Sequence, residues 1–205
     1  IIGGGGAGMT AALYASRANL KVTLVEKMTQ GGQIFLTDLV ENYPGFPEGI
    51  TGPEISDRML EQAKKYGTEV VFEEVRSITE LPGRVFQVAT SGKQYQARSL
   101  ILALGAEFKK LGLAGETELT GRGVSYCATC DGAFFKNQVI VVVGGGDAAV
   151  EEGIFLTKYG SKVILVHRRD KLRAAKIIQE RAFKNPRMEF VWDSVVESIE
   201  GDKRV

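Results

Sequence analysis

Two stretches of this chain decide its fold, and the two resemble each other. Residues 139–149 read VIVVVGGGDAA and residues 1–8 read IIGGGGAG, so an apolar run passes into clustered glycines twice. A helix is predicted after each glycine cluster, and a second apolar run follows each helix. The helices are predicted over residues 9–19 and up to Tyr159, and the second apolar runs are residues 22–26 and 163–167. Parallel strands that are buried on both faces give such runs. The repeat therefore predicts an α/β chain with two Rossmann-like domains.

The rest of the chain supplies further elements and a boundary between the two halves. The pattern of residues 53–66 predicts an amphipathic helix that Gly67 ends. Its buried face is predicted to comprise Ile55, Met59, Ala63 and Tyr66. Further strands are predicted over residues 69–73, 85–89, 95–104 and 189–192, a further helix over residues 171–184, and a C′ glycine at Gly160. A loop over residues 105–137 joins the halves, which predicts domains at residues 1–107 and 108–205.

Composition argues against several classes of function. Of the 205 residues, 44% are hydrophobic and 25% are charged, and the net charge is +1, so the basic excess of nucleic-acid-binding proteins is absent. No uncharged apolar run reaches the roughly 18 residues that a membrane span needs, and no secretory leader is visible at Ile1. We therefore expect a cytoplasmic protein without nucleic-acid or membrane partners. Because the chain does not begin with Met, we expect its true N-terminus to be missing.

The glycines follow the spacing of a dinucleotide-binding fingerprint. In that fingerprint the first glycine allows a tight turn, the second lets backbone amides approach a pyrophosphate, and the third position lets helix and strand pack closely. The N-terminus of the following helix offers free N–H groups to the phosphates. The two sets are Gly3, Gly5 and Gly8, and Gly144, Gly146 and Ala149. One such match is weak evidence, whereas two copies in the same strand-helix context favour two nucleotide sites.

The residue that ends the second strand of each unit indicates which nucleotide is bound. Glu26 and His167 both lie 23 residues after the first glycine of their set. A carboxylate accepts hydrogen bonds from ribose hydroxyls and repels a 2′-phosphate, so the first site suits FAD or NAD. Arg168 and Arg169, with Arg173 a helical turn later, offer charge-assisted donors to the 2′-phosphate of NADP. The alternatives are a solvated carboxylate at Glu26, a solvated basic face, and a core or spacer role for His167.

The only two cysteines, Cys127 and Cys130, form a Cys-x-x-Cys pair. Such a pair closes a small disulfide ring, lowers the pKa of one thiol when reduced, and exchanges with a partner disulfide. Asp131 follows directly and is the candidate acid-base group for this exchange. The alternatives are half of a zinc site and two inert buried thiols. Zinc would need two more ligands, and the chain has one histidine and no further cysteine, so we expect redox chemistry and no metal site.

Motifs between and around the two repeats extend this pattern. The cysteines lie in residues 121–132, GRGVSYCATCDG. The other notable segments are residues 31–33, GGQ, residues 40–45, VENYPG, residues 144–152, GGGDAAVEE, residues 167–170, HRRD, and residues 172–174, LRA. Together they resemble the bacterial, low-molecular-weight thioredoxin reductases, class II of the pyridine nucleotide-disulfide oxidoreductases. The resemblance covers essentially the whole chain, and the cysteine segment is its most specific part.

The resemblance implies an FAD domain into which an NADPH domain carrying the redox cysteines is inserted, in a homodimer. It implies that electrons pass from NADPH through FAD to the Cys127–Cys130 disulfide and then to thioredoxin or a thioredoxin-like protein, with a rotation of the two domains. The residues implied to contact FAD are Gly3, Gly5, Gly6, Ala7, Gly8, Glu26, Gly32, Gln33, Asn42, Val75, Ala103 and Gly105. Those implied to contact NADPH are Gly144, Gly146, Asp147, Ala148, His167, Arg168, Arg169 and Arg173.

Two features depart from the family pattern. Leu104, between Ala103 and Gly105, stands where the family usually has threonine, so we expect one hydrogen bond near the flavin-domain crossover to be absent. The family also continues beyond the position of Val205, with segments that complete both domains. We therefore expect this chain to be a C-terminally shortened form, with poor flavin binding or no activity.

Three alternative functions share these motifs. The reductase of a peroxiredoxin (alkyl hydroperoxide reductase) system has the same arrangement of flavin, nucleotide and dithiol, usually with an additional N-terminal thioredoxin-like module. A flavin oxidoreductase fed by ferredoxin is disfavoured by the second glycine set and by the arginines. A non-catalytic nucleotide-binding sensor predicts that Cys127→Ser leaves the physiological activity intact.

Overall fold

The computed structural model describes all 205 residues, which form two compact units, Ile1–Glu107 and Phe108–Val205. The first unit contains helix α1 (Gly6–Arg17), strand β1 (Thr23–Glu26), helix α2 (Gly52–Lys65) and strand β2 (Glu69–Phe72), with a 3-10 helix at Gly32–Leu36. Strands β1 and β2 pair in parallel. Ile2 forms parallel bridges to Val25 and to Leu102, so residues 1–3 lie between β1 and residues 101–103.

Local sequence explains where α2 begins and ends. The side chain of Thr51 accepts a hydrogen bond of 3.3 Å from the amide of Glu54, which caps the first turn. Lysines occupy the last turn, where positive charge complements the helix dipole. Gly67 then adopts a φ of 96°, a left-handed conformation that favours glycine, and the helix stops. The buried side chains of α1, α2 and β1 form the core of this unit, including Met9, Ala12, Leu24, Ile55, Leu60 and Ala63.

A second, antiparallel sheet completes the first unit. Its strands are β3 (Val75–Leu81), β4 (Val85–Thr90) and β5 (Gln94–Ala97), paired in that order. The amide of Glu73 donates to the carbonyl of Glu26 at 2.8 Å, so the chain leaves the parallel sheet beside the end of β1 just before β3 begins.

The second unit contains one parallel sheet in the order β6-β7-β8. Its elements are a short helix α3 (Ala128–Asp131) with a 3-10 turn at Gly132–Phe135, strand β6 (Val139–Val143), helix α4 (Asp147–Leu156), strand β7 (Lys162–Val166), helix α5 (Lys176–Lys184) and strand β8 (Met188–Val191). Val150, Val163 and Leu165 are fully buried between the sheet and the helices. No helix in either unit is both long and apolar enough to cross a bilayer.

The structure confirms the two strand-turn-helix-strand repeats and the α/β class, and it corrects several elements between them. Strand β3 was not predicted from the sequence, because its side chains are largely exposed and lack an apolar alternation. The single strand predicted over residues 95–104 is wrong: β5 ends at Ala97, and residues 101–103 pair separately beside Ile2. The stretch predicted as one strand therefore contributes to an antiparallel pairing at β5 and to a separate parallel bridge at Leu102.

Three predictions about helices are also corrected. The helix predicted from residue 171 begins at Lys176, because residues 173–175 instead lie across the second glycine loop. Tyr66 does not belong to the buried face of α2, since it is the C-cap residue and is 43% exposed. Gly160 follows α4 without a positive φ. A Cβ there would lie 3.1 Å from the carbonyl oxygen of Gln138, so close packing, not a left-handed turn, explains this glycine.

Candidate functional site

The first glycine loop joins Ile2 to α1 and contains two crowded glycines and an open one. Gly3 has a φ of 103°, and a Cβ there would overlap the carbonyl oxygen of Ala103. A Cβ on Gly8 would overlap the carbonyl oxygen of Gly3, so only glycine lets α1 pack this closely on the loop. Gly5, by contrast, has only the carbonyl oxygen of Gly31 nearby, 3.8 Å from where a Cβ would lie. The loop therefore has open space at its middle glycine, where a phosphate would approach.

The carboxylate of Glu26 lies beside this loop. Its Oε2 accepts a hydrogen bond of 2.6 Å from the amide of Gly4, and its Oε1 accepts one of 3.1 Å from the amide of Met28. The side chain is half-buried and held by backbone, which argues against a freely solvated carboxylate. Its fixed negative charge at the end of β1 disfavours a 2′-phosphate and leaves lone pairs for ribose hydroxyls.

The second segment predicted to contact the flavin, residues 31–33, lies against the first loop. The amide of Gly31 donates to the carbonyl of Gly4 at 2.7 Å, and Gly31 has a φ of 99°. A Cβ on Gly32 would lie 3.5 Å from the Cα of Gly5. The side-chain amide of Gln33 donates to the carbonyl of Ala106, so this predicted contact residue already has a protein partner.

The remaining predicted residues of the first unit lie in several different elements. Gly6 and Ala7 lie in the first turn of α1, which no side chain caps, so its N–H groups are free for an anion. Val75 begins β3. Asn42 is exposed and lines a cavity of ≈ 340 Å³ formed by residues 41–47. Gly105, with a φ of 68°, has no atom within 4 Å of a Cβ position.

The second glycine loop has the same arrangement as the first, except that the third position of its fingerprint is alanine. Gly144 has a φ of 154°, and a Cβ there would lie 2.6 Å from the Cβ of Ala149, which occupies the third position of the fingerprint. Gly146 is open, since only a guanidinium nitrogen of Arg173 comes near, at 3.9 Å. As in α1, no side chain caps the first turn of α4, where Ala148 is exposed. The carboxylate of Asp147 accepts a hydrogen bond of 2.6 Å from the amide of Ala175, so it holds the following segment against the loop.

Three arginines lie in the segment that follows β7, and one of them contacts the second loop. Arg168 and Arg169 follow β7 directly, and the amide of Arg173 donates to the carbonyl of Gly145 at 2.7 Å. All three side chains are exposed, and none of their guanidinium groups forms an ion pair with a carboxylate. An unpaired cluster of this kind beside an uncapped helix N-terminus is suited to a phosphate.

His167 differs from the arginines because its ring is buried. The residue is only 6% exposed, its ring meets Trp192 edge-on, and its Nε2 has no hydrogen-bond partner. A Cβ on Gly145 would overlap this ring, so the imidazole packs directly against the backbone of the glycine loop. This placement favours the spacer role that the sequence left open, and a contact between His167 and a nucleotide stays a prediction.

Cys127 and Cys130 are joined in a disulfide at α3. Cys130 is exposed and Cys127 is half-buried. The Sγ of Cys127 accepts a hydrogen bond of 3.2 Å from the amide of Cys130, and Asp131 ends the helix, half-buried. No group of metal-ligating side chains is present in the chain. Cys130 is therefore the more exposed residue of the disulfide, and a carboxylate directly follows it.

Sequence reasoning missed three residues that shape these sites. The amide of Gly31 donates to the first loop, and Gly145 packs on the ring of His167 within the second loop. Both lie inside motifs whose other glycines were predicted to contact a nucleotide. Glu116, near the cysteine segment, is 2% exposed and hydrogen-bonded to three donors. No local pattern marks it, because a glutamate in a glycine-containing loop is ordinarily exposed.

Two α/β units, each with a strand-glycine-helix cradle, and a Cys-x-x-Cys disulfide in the second unit are features typical of the nucleotide-linked disulfide oxidoreductases as a class. The family model of the pyridine nucleotide-disulphide oxidoreductases matches residues 1–205, and the chain belongs to this family.

Relatives and solved structures agree with this membership. The chain is 57% identical over 203 residues to a thioredoxin reductase of Listeria monocytogenes, covering 98% of this chain and 63% of that protein. It is 56% identical over 200 residues to one of Bacillus subtilis, covering 97% and 62%. The crystal structure of the Lactococcus lactis thioredoxin reductase matches with a TM-score of 0.95 at 50% identity, covering 99% of this chain and 67% of that one. The chain thus spans less than two thirds of the length of the curated relatives.

Proposed function

We propose that this chain is the larger part of an NADPH-dependent flavoprotein that reduces the disulfide of thioredoxin or a thioredoxin-like protein. One observation carries the proposal: a disulfide whose Cys130 residue is exposed lies in the same unit as a glycine cradle and three arginines without ion pairs. The names of the relatives support the substrate, since the proteins of Listeria monocytogenes and Bacillus subtilis are called thioredoxin reductases.

The first unit is proposed to bind FAD. The open space at Gly5 and the uncapped start of α1 fit a pyrophosphate, and the carboxylate of Glu26 fits a ribose without a 2′-phosphate. Gly32, Gln33, Asn42, Val75, Ala103 and Gly105 are included in this proposal because the family resemblance implies them, and Gly32 and Ala103 lie against the loop. When bound, FAD supplies a group that accepts a hydride from a nicotinamide and passes two electrons to a disulfide.

The second unit is proposed to bind NADPH. Gly146 leaves room for the pyrophosphate, and the amides at the start of α4 are free to bind it. Arg168, Arg169 and Arg173 are proposed to bind the 2′-phosphate, because their positive charges have no other partner. The buried ring of His167 is proposed to act beneath Gly145, by holding the loop in place.

The disulfide is the part of the chain that changes covalently. Reduction of the Cys127–Cys130 bond takes up two electrons and two protons and gives two thiols. One thiolate then attacks the disulfide of the partner protein, and the second thiol releases the mixed disulfide, so the original bond re-forms and the partner leaves as a dithiol. Asp131 is proposed to hold or release a proton at the thiols, because it follows Cys130 directly.

The proposal also covers the organisation of the whole protein. It comprises a flavin domain with the nucleotide domain inserted into it, a homodimer, and a cytoplasmic location. The resemblance of the whole chain to thioredoxin reductases supports the first two points. A redox-cycling cysteine pair that depends on NADPH is typical of a reducing compartment and supports the third.

Anaerobic titration of the full-length protein with NADPH tests this function. We expect NADPH to bleach the visible flavin band and to drive reduction of thioredoxin, and we expect NADH to be the poorer reductant. Cys127→Ser and Cys130→Ser should abolish reduction of thioredoxin while leaving NADPH-driven reduction of ferricyanide, which needs no dithiol. A flavin band that NADPH does not bleach, or a Cys130→Ser protein that still reduces thioredoxin, would contradict the proposal.

A further inference from the structure

Glu116 is a buried carboxylate that neither glycine cradle explains. Its Oε1 accepts a hydrogen bond of 2.8 Å from the amide of Leu111, and its Oε2 accepts one of 2.7 Å from the amide of Gly112. These two amides belong to the segment that opens the second unit after Glu107. Burial of a carboxylate is costly unless hydrogen bonds compensate it. Glu116 is only 2% exposed, and the donors on both of its oxygens compensate the cost of its burial.

The third donor connects Glu116 to the redox pair. The hydroxyl of Tyr126 donates to Oε1 of Glu116 at 2.7 Å. The ring of Tyr126 stacks on Phe108, with centroids 6.2 Å apart and planes inclined by 19°. Because Tyr126 is the residue directly before Cys127, the carboxylate fixes the backbone that enters the redox pair to the segment of residues 108–112.

The backbone on the other side of Cys127 is anchored independently. Ala128 is 7% exposed and belongs to the core formed with α4 and the parallel sheet. A Cβ on Gly132 would lie 2.9 Å from the side chain of Leu156, so the turn after α3 packs tightly on α4. Cys127 therefore lies between two fixed neighbours, and only the anchor on the Tyr126 side depends on a side-chain hydrogen bond.

We infer that Glu116 is a positioning residue for the Cys127–Cys130 pair. Through the hydroxyl of Tyr126 it holds the backbone at Cys127, so that the two sulfurs stay within reach of each other when the bond between them is reduced. This inference rests on the proposed function and adds a residue to its dithiol step. Holding two reacting groups together raises their effective concentration, so the arrangement favours re-formation of the disulfide and release of the partner protein.

The charge state of the network is consistent with this role. Hydrogen bonds from the Leu111 amide and the Tyr126 hydroxyl hold the pKa of Glu116 below its usual value. The same carboxylate raises the pKa of Tyr126. The acceptor therefore remains ionised and the donor remains protonated throughout the neutral pH range, and the anchor is present under all ordinary assay conditions.

Two variants of the full-length holoprotein and one matched control test the inference. Glu116→Gln replaces one acceptor oxygen by an NH2 group, which only donates. The side chain can then no longer accept hydrogen bonds from all three donors. Tyr126→Phe removes only the hydroxyl and keeps the ring on Phe108. Glu118→Gln changes an exposed glutamate two residues further along the same loop. The readout is the equilibrium between the Cys127–Cys130 disulfide and dithiothreitol, measured by alkylating the free thiols, which requires no nucleotide.

We expect both Glu116→Gln and Tyr126→Phe to shift this equilibrium toward the dithiol by about fivefold, the factor that corresponds to one net hydrogen bond. They should slow NADPH-driven reduction of thioredoxin by a similar factor and leave reduction of ferricyanide unchanged. Glu118→Gln should match the unsubstituted protein in all three assays. If Glu116→Gln does not fold, Tyr126→Phe decides the question.

A Tyr126→Phe protein whose dithiol equilibrium lies within twofold of that of Glu118→Gln overturns the inference. Equal loss of ferricyanide and thioredoxin reduction also overturns it, because the substitution then damages the protein generally. Failure of the unsubstituted protein to reduce thioredoxin with NADPH would instead refute the proposed function. The equilibrium with dithiothreitol would still report on Glu116 in that case.

Discussion

Alanine substitutions at Gly145 and Gly146 should separate the structural from the ligand-binding part of the second glycine loop. A Cβ on Gly145 would overlap the imidazole of His167, and that ring cannot move freely because Trp192 lies against it. Overpacking of a buried site costs about 1–3 kcal/mol. We therefore expect Gly145→Ala to lower the free energy of unfolding by about 2 kcal/mol, within that range.

Gly146→Ala should instead leave the free energy of unfolding nearly unchanged and weaken the binding of NADPH. Gly146 has φ −94° and ψ 179°, an extended conformation that alanine adopts freely, and a methyl group there meets only the guanidinium of Arg173, an exposed residue, at 3.9 Å. Its free energy of unfolding should stay within about 0.5 kcal/mol of the original or rise slightly, because alanine restricts the unfolded chain. The methyl group would, however, occupy the space that a pyrophosphate needs, so binding of NADPH should weaken by at least about tenfold, or about 1.4 kcal/mol.

Urea unfolding of the 205-residue chain, followed by the fluorescence of its single tryptophan, measures the stability effects. Trp192 reports on the right region, since it contacts the ring of His167. Titration of the full-length protein with NADPH gives the affinities. An unchanged unfolding midpoint for Gly145→Ala would refute the packing argument. A Gly146→Ala protein that binds NADPH as tightly as the unsubstituted one would refute the assignment of the cradle.

Two further predictions concern charge. The double substitution Arg168→Ala with Arg169→Ala should weaken NADPH binding by about ten- to a hundredfold and leave NADH binding within about twofold, since only NADPH carries the 2′-phosphate; equal losses for both nucleotides in a fluorescence titration would contradict this. Burial, with a contribution from Glu151, raises the pKa of Glu152 to about 7 from an ordinary 4.5, so this carboxyl is protonated in the folded chain where the unfolded chain ionises it. Its contribution to stability is full below pH 4.5 and is lost as the pH rises through 7. After allowance for its partial exposure, Glu152→Gln should stabilise the chain by on the order of 1–2 kcal/mol at about pH 8 and by little at about pH 4, and an exposed control, Glu180→Gln, should show no such pH dependence in urea unfolding.

The sequence correctly predicted the features that depend on residues close together along the chain. The tight turn at Gly3 and the close packing at Gly8 are properties of a few successive residues, so glycine spacing alone located them. Apolar runs likewise located β1, β6 and β7, although Val139, Val141 and Val143 of β6 are exposed in the structure. Signals of this kind led to the correct α/β class.

Other elements lacked such a signal. Strand β3 is stabilised by its antiparallel pairing with β4, and its exposed side chains carry no periodic pattern. The run of residues 95–104 divides between two sheets because Leu102 pairs with Ile2, a contact distant in sequence. Residues 96, 98 and 99 are polar, but the sequence does not show that they separate two pairings, and only the structure reveals this.

The sequence by itself determined the two glycine loops, the opposite charges at the ends of their second strands, and the cysteine pair. The tertiary structure alone decided that the ring of His167 lies buried beneath Gly145 and that Glu116 binds Tyr126. The physical reason is that turn geometry and strand burial depend on neighbouring residues. The burial of a polar side chain instead depends on which distant donors and atoms the folded chain brings around it.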